Sequence, residues 1–211
     1  MPKQAIVKKE KQEITEAPKL AISASDIEIP RLNVVQKSSQ IDGAFGAVVL
    51  DRTNTVLEPE QSANVTIISA VKAWRENVPY ESEEIGRIAT TEEQKAAIDA
   101  DSEWGTIEFA DIVMLIPKPE GGSDTAFPYP IGDEMFALGK INVNKNGYRN
   151  TYKRLATFAA FNPTASLSTR LWSFKTELIT KGKYAWYVPS LTITSEEAAA
   201  DVTAFVTRIT S

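Results

Sequence analysis

Neither histidine nor cysteine occurs in these 211 residues, and the two absences exclude a large share of enzyme chemistry. Ser-His-Asp and Cys-His nucleophilic sites, zinc sites built on His or Cys, and haem or iron–sulfur ligation all require residues that are missing. No disulfide can form, so the fold has to be held by its core. Long apolar runs are missing too: Ile112-Val113-Met114-Leu115-Ile116 is strand-sized, far from the roughly 18 residues of a membrane span. The N-terminus is charged without an apolar stretch behind it, which predicts no signal peptide. Together these features predict a protein of a reducing cytoplasm with no membrane association.

What the chain does have is charge, unevenly placed. Its 23 Lys and Arg against 28 Asp and Glu give a net of −5. By segment, residues 1–50 carry +1, residues 51–139 carry −12, residues 140–193 carry +8 and residues 194–211 carry −2. The +8 segment sets Lys140, Lys145, Arg149, Lys153, Arg154, Arg170, Lys175, Lys181 and Lys183 against Glu177 alone, and it holds 9 of the 18 aromatic residues. Cations interleaved with rings suit a single-stranded nucleic acid: the cations follow the phosphates and flat rings stack on unpaired bases. The same composition also suits a core of rings beneath a solvated cationic face.

Along the chain, residues 1–20 are rich in Lys, Glu, Gln and Pro and read as a flexible N-terminal arm. Residues 21–193 read as the main domain. Within it, strands are predicted over 29–36, 43–50, 64–74, 106–116 and 136–143, with Gly43 and Gly46 marking a bulge or a close backbone approach. Residues 76–104 form an acidic insertion, in which Thr90 and Glu93 predict a capping box for a helix through about residue 101. Tyr148, Tyr152, Leu155 and Ala159 recur at helical spacing and predict a helix over 148–160.

Residues 166–178 alternate, with Arg170, Trp172, Phe174 and Thr176 on one side and Leu171, Ser173 and Lys175 on the other. With Lys181-Gly182-Lys183 as the connection and 184–188 returning, this predicts a β-hairpin with a cationic tip. A second capping box at Thr194 and Glu197, followed by the stripe Ala198, Val202, Phe205, Val206 and Ile209, predicts a C-terminal helix over 194–211 packed on the domain.

Metal-dependent phosphodiester chemistry needs neither His nor Cys, so the carboxylates have to be weighed. Glu108 and Asp111 flank the strand entering Met114, but no Asp/Glu-x-Lys follows them, and they lie in the segment poorest in cations. The hairpin is the sharper candidate, because Arg170, Trp172 and Phe174 would stand in a row about 7 Å apart on one strand face, near the spacing of successive bases. Nucleic-acid contacts are therefore expected at Arg149, Lys153, Arg154, Arg170, Trp172, Phe174, Lys175, Lys181, Lys183, Tyr184 and Trp186. Arg31, Lys37, Trp74 and Tyr148 are further candidates.

A resemblance enters on short spaced pieces: Ile-Pro-Arg-Leu-Asn-Val-Val-Gln-Lys-Ser-Ser (29–39), Gly-Ala-Phe-Gly-Ala-Val-Val-Leu-Asp (43–51), Ala-Trp-Arg-Glu (73–76), Ser-Leu-Ser-Thr-Arg-Leu-Trp-Ser-Phe (166–174) and Tyr-Ala-Trp-Tyr-Val-Pro (184–189). Over roughly residues 27–193 the chain resembles tailed-bacteriophage single-stranded DNA-binding proteins. That resemblance implies an OB-like five-stranded β-barrel, with a helix between its third and fourth strands, that coats single-stranded DNA in phage replication or recombination. Proteins of this kind often end in a disordered acidic tail that recruits partners, and here an amphipathic helix stands in its place.

The expectation is a mainly β, non-enzymatic protein in the cytoplasm of an infected bacterial host, with no cofactor and no metal. Its partners would be single-stranded DNA and phage replication or recombination proteins, with a homo-oligomer also allowed. The alternatives are a protein-interaction module working through its −12 segment, as a virion component or acidic DNA mimic, and a metal-dependent nuclease.

Overall fold

The β-branched run Ser62–Glu76 forms β4, a 15-residue strand around which the others assemble. The structure, a computed structural model, describes residues 28–79 and 81–210; the arm expected at 1–20 lies outside the described residues. β4 pairs antiparallel with β6 (Thr106–Pro117) over most of its length, and near its start with β9 (Arg170–Lys181). β6 pairs in turn with β8 (Glu134–Asn144), and β8 with the short β7 (Tyr129–Ile131). On the other side β9 forms a hairpin with β10 (Tyr184–Glu197), turning at Gly182 with φ +59°. The two-residue β5 (Ile88–Ala89) adds to the end of β4, and the order of the rest is β10-β9-β4-β6-β8-β7. Three shorter strands, β1 (Leu32–Val34), β2 (Val48–Leu50) and β3 (Asn54–Leu57), make a second antiparallel sheet. The protein is mainly β.

The large sheet does not close into a barrel by strand pairing, since β10 and β7 are its two ends and no ladder joins them. The chain around β1 stands between. The amide of Lys140 on β8 donates to the Pro30 carbonyl at 2.8 Å. On the far side the Gln36 amide donates to the Tyr187 carbonyl of β10 at 2.8 Å and accepts from the Tyr187 N–H at 3.1 Å. Backbone groups that a closing ladder would have used are thus satisfied by a separate segment.

The core lies between the two sheets and two helices. Leu32, Val48 and Val56 of the small sheet meet Val65, Ile67, Ile112 and Met114 of the large one, with Leu155, Trp172 and Phe174 completing the cluster. Burying such side chains is the dominant favourable term in folding, at about 1.5–3 kcal/mol each.

Three local expectations need correction. The 148–160 helix is two helices, α2 (Lys145–Asn150) and α3 (Tyr152–Phe161), separated by Thr151 at φ −121°, ψ −80°; the Thr151 hydroxyl donates to the Gly147 carbonyl at 2.6 Å and holds the break. The acidic helix, α1 (Glu92–Asp101), is capped one residue later than expected. The Thr91 hydroxyl accepts from Gln94 N–H at 3.2 Å and the Gln94 amide accepts from Thr90 N–H at 2.8 Å, so Gln94 replaces Glu93. Thr194 caps no helix, because its hydroxyl donates to the Leu171 carbonyl at 2.9 Å and β10 runs on to Glu197. The last helix, α4 (Ala200–Thr210), packs Val202 and Val206 against Leu115, Ile131 and Phe136.

The acidic lobe is tied at its root by Glu76, buried at the end of β4. Its carboxylate accepts from Arg87 Nε at 2.9 Å and Nη2 at 3.0 Å, and Arg87 Nη1 reaches Asp101 at 2.7 Å. Arg87 therefore holds the Glu76 carboxyl at about 2, well below its ordinary 4.5. A depressed carboxylate pKa stabilises the folded state above the unfolded value and loses that contribution as pH falls through the folded one. Acid titration from pH 5 to pH 2 should loosen the lobe, seen as a change in tryptophan emission from Trp74 and Trp104; Glu76→Gln should remove this step and leave a lobe already loosened at pH 7.

Candidate nucleic-acid interface

One face of β4, β6 and β8 forms the floor of a long groove. Strand register places Val71 beside Asp111 and Asn142, and Ala73 beside Phe109 and Asn144. The opposite face of the same strands carries Ala110, Ile112, Ile141 and Val143 into the core, as the two-residue period of a strand requires. Arg75, Ile88 and Thr90 at the root of the acidic lobe line one part of the groove; Lys181, Tyr184 and Trp186 of the β9–β10 hairpin and Arg31 beside β1 line others. The volume is about 1250 Å³, larger than the few hundred to about 1,000 Å³ of a small-molecule pocket. An extended ligand suits it better.

Five cations line the groove, Arg31, Arg75, Lys140, Lys145 and Lys181, against the single carboxylate of Asp111. Asp111 is already engaged: Asn142 donates to it at 2.7 Å and Lys140 Nζ lies 3.9 Å away. Arg31, Arg75, Lys145 and Lys181 enter no salt bridge among the described residues. Lys145 sits at φ +46° where β8 turns into α2, an uncommon conformation for a side-chain-bearing residue and one that clusters at binding sites. Rings accompany the cations: Tyr184 is 65% exposed, with Lys183 Nζ 5.4 Å from its centroid, and Trp186 is half-buried beside it.

The candidate residues divide. Arg31, Lys181, Tyr184 and Trp186 line the groove, Lys183 flanks it through Tyr184, and Lys37 is not in its lining, its Nζ standing 5.2 Å from the Phe45 ring. Trp172 and Phe174 are corrected to core residues. Trp172 is 1% exposed, meets Phe158 edge-on at 5.4 Å and donates its indole N–H to the Leu167 carbonyl at 3.2 Å, so neither of its faces is open to a base. Phe174 is fully buried among the same residues.

Trp74 is buried beside Ala89 and Ile98 under the acidic lobe, with Lys72 Nζ 4.6 Å from its ring. Tyr148 is buried and stacked on Tyr152 at 5.0 Å. Burial, helped by the charge of Glu108, pushes the Tyr148 hydroxyl up to about 12.

Several cations are also placed elsewhere. Arg154 donates through Nη1 to Ser190 Oγ, the Leu191 carbonyl and Thr192 Oγ1 at 2.8–3.1 Å, pinning α3 to β10. Lys175 pairs with Glu177 at 3.1 Å and Arg170 with Glu197 at 3.6 Å. Lys153 lines a separate depression with Arg154 and Phe161, and Arg149 is exposed on α2, outside both. Sequence reasoning missed Arg75, Lys140, Lys145 and Asn142 as residues of the groove, although the polar alternation of Asn142 and Asn144 at the end of β8 was a usable signal.

The two carboxylates weighed for metal chemistry do not converge. Glu108 and Asp111 are three residues apart on one strand and so face opposite sides; Glu108 is paired with Lys72 at 2.7 Å on the face away from the groove. Among the described residues no group of three or more carboxylates is arranged to hold a metal ion, and no helix is long and apolar enough to cross a membrane. No family model, curated protein or solved structure matches the chain.

Burial separates the two kinds of ring experimentally. Trp172→Ala should lower the unfolding free energy by about 3–5 kcal/mol in urea denaturation, whereas Tyr184→Ala should change it by no more than about 0.5 kcal/mol.

Proposed function

We propose that the protein binds single-stranded DNA without strong sequence preference in the groove floored by β4, β6 and β8. The observation that carries this reading is the company of rings and cations there: Tyr184 and Trp186 on the hairpin, with the unpaired Arg31, Arg75, Lys145 and Lys181 and the Asp111-paired Lys140 around them. Exposed rings stack on unpaired bases at about 1–3 kcal/mol each and accept any base, while Lys and Arg follow the phosphates. A duplex reader needs an element that enters a groove of the double helix; here the cations line a concavity instead.

Strand order supports an OB-type origin for this arrangement. Taking the five long strands β4, β6, β8, β9 and β10 as one to five, their order in the sheet is five-four-one-two-three. That is the order of an OB barrel opened between its third and fifth strands, with the β1 segment standing in the opening. Helices α2 and α3 fall between the third and fourth of these strands. OB proteins bind oligonucleotides on the face of strands two and three and through the loops joining one to two and four to five. Those positions correspond here to β6 and β8, to the acidic lobe and to the Lys181–Tyr184 turn. Coating of single strands in phage replication or recombination, inside the host cytoplasm, is the role the sequence resemblance adds to this reading.

Titrating oligo-dT into the protein should quench Trp186 fluorescence, and Trp186→Phe should abolish most of that change. The logarithm of affinity should fall with the logarithm of salt concentration with a slope of about −3.5 if the five cations each neutralise a phosphate, and Lys140→Ala should flatten it by about 0.7. Tyr184→Ala should cost about 1–3 kcal/mol of binding. An absent response at low salt, or equal affinity for a duplex of the same length, would overturn the proposal.

A further inference from the structure

The second depression of the surface has a different character from the groove. It measures about 520 Å³ and is lined by Lys153, Arg154, Phe158, Phe161 and Ile193, with the edge of Trp172 at its base. Phe161 is 82% exposed and Ile193 42% exposed, so two large apolar side chains lie open beside two cations. Helix α4, the last element of the chain, covers a different cluster around Leu115 and Phe136. Among the described residues nothing covers Phe161.

The complementary feature is on the acidic lobe. Ile85 is 95% exposed and follows Glu81, Glu83 and Glu84, none of which enters a salt bridge among the described residues. An apolar side chain beside three carboxylates matches an apolar depression beside two cations in both hydrophobicity and sign. The lobe of one molecule cannot reach its own depression, however. Trp172 pairs with Val65 near the start of β4, and the lobe is rooted at Glu76 at its end, so about 36 Å of strand separates the two at about 3.3 Å per residue.

We propose that Ile85 of one copy docks between Phe161 and Ile193 of the next, with Glu83 and Glu84 facing Lys153 and Arg154. The two patches are different surfaces at opposite ends of β4, so the contact is head-to-tail, and such contacts build open chains unless the rotation between copies closes a ring. The groove floor lies between the two patches along β4, so successive copies would present their grooves end to end. The contact itself stands apart from the DNA reading; its use, laying copies along one strand, rests on it.

The absence of cysteine from the chain makes the test clean. Ile85→Cys and Phe161→Cys are both at exposed positions and leave the core intact. Mixed under mild oxidation, the two variants should form the Ile85–Phe161 disulfide about tenfold or more faster than either variant alone forms its homodimer, because apposed thiols react at an effective concentration above that of chance collision. Lys153→Glu should slow the mixed reaction, and pairing it with Glu83→Lys/Glu84→Lys should restore it.

Equal rates for mixed and homodimeric products overturn the proposal, as does a monomeric protein whose Phe161→Cys thiol is closed to a soluble maleimide, which would mean that the chain covers its own depression. Oligo-dT added to the same mixtures separates the two readings. Cross-linking unaffected by an oligonucleotide that the protein fails to bind leaves the contact standing and removes only the DNA function. Binding of short oligonucleotides with no preferred cross-link removes only the contact.

Discussion

A curled sheet whose ends do not meet has to satisfy two open edges, and much of this molecule is arranged by how that is done between β8 and β10. The Gln36 side chain bonds both backbone groups of Tyr187, and around this clamp space is tight. A Cβ on Gly46, already at φ +98°, would stand 2.6 Å from the Tyr187 ring, so only glycine fits there. Phe45 meets the same ring edge-on at 4.8 Å, and the buried Thr176 hydroxyl donates to the Gly46 carbonyl at 2.7 Å. The small sheet is thereby fastened to the root of the β9–β10 hairpin. Since that hairpin carries Lys181, Tyr184 and Trp186, the clamp also sets where these rings stand relative to Arg31, just before β1, and Lys140 on β8.

The division of charge along the chain acquires a physical purpose in this arrangement. Antiparallel pairing brings the ends of β4 and β6 together, and the connection between them is the acidic lobe; it is anchored by Glu76, Arg87 and Asp101 rather than by a large core of its own. The cationic residues after 140 fall mainly on β8, the hairpin and the helices. The lobe thus stands against one end of the cationic groove, since Arg75 at its root and Lys145, next to Asn144 whose partner Phe109 pairs with Ala73, both line that groove. On the proposed reading a lobe of net negative charge at one end of a cationic groove would repel stray phosphates there and leave the interior attractive.

The mainly β class, the hairpin with its cationic tip, and the long strands at 64–74, 106–116 and 136–143 were legible because β-branched runs and turn residues announce themselves locally. The small sheet was only half visible: β3, at Asn54–Leu57, is too short to show a period, and its pairing is long-range information. The site was legible in composition and misread in orientation. Alternation correctly grouped Arg170, Trp172, Phe174 and Thr176 on one face, but a period of two does not say which face looks inward. Trp172 and Phe174 went to the core because three elements converge there: β4, α3 and the small sheet. Three other residues that the pattern proposed as contacts, Lys181, Tyr184 and Trp186, line the groove and lie toward the far end of the hairpin, beyond the reach of that convergence.

The missing histidine bears on regulation as well as on catalysis. No side chain of this protein belongs to a type whose ordinary pKa lies between about pH 5 and 8, so a groove whose attraction comes from Lys and Arg keeps its charge across that range. On the proposed reading ionic strength remains as the lever, since it would act on phosphate contacts and leave stacking on Tyr184 and Trp186 largely untouched. A single strand bound there would be held through a salt-sensitive and a salt-insensitive contribution at once. Stacking by itself carries no sequence preference, and phosphate contact by itself carries none either, so a protein that used both as proposed would grip a single strand of any sequence.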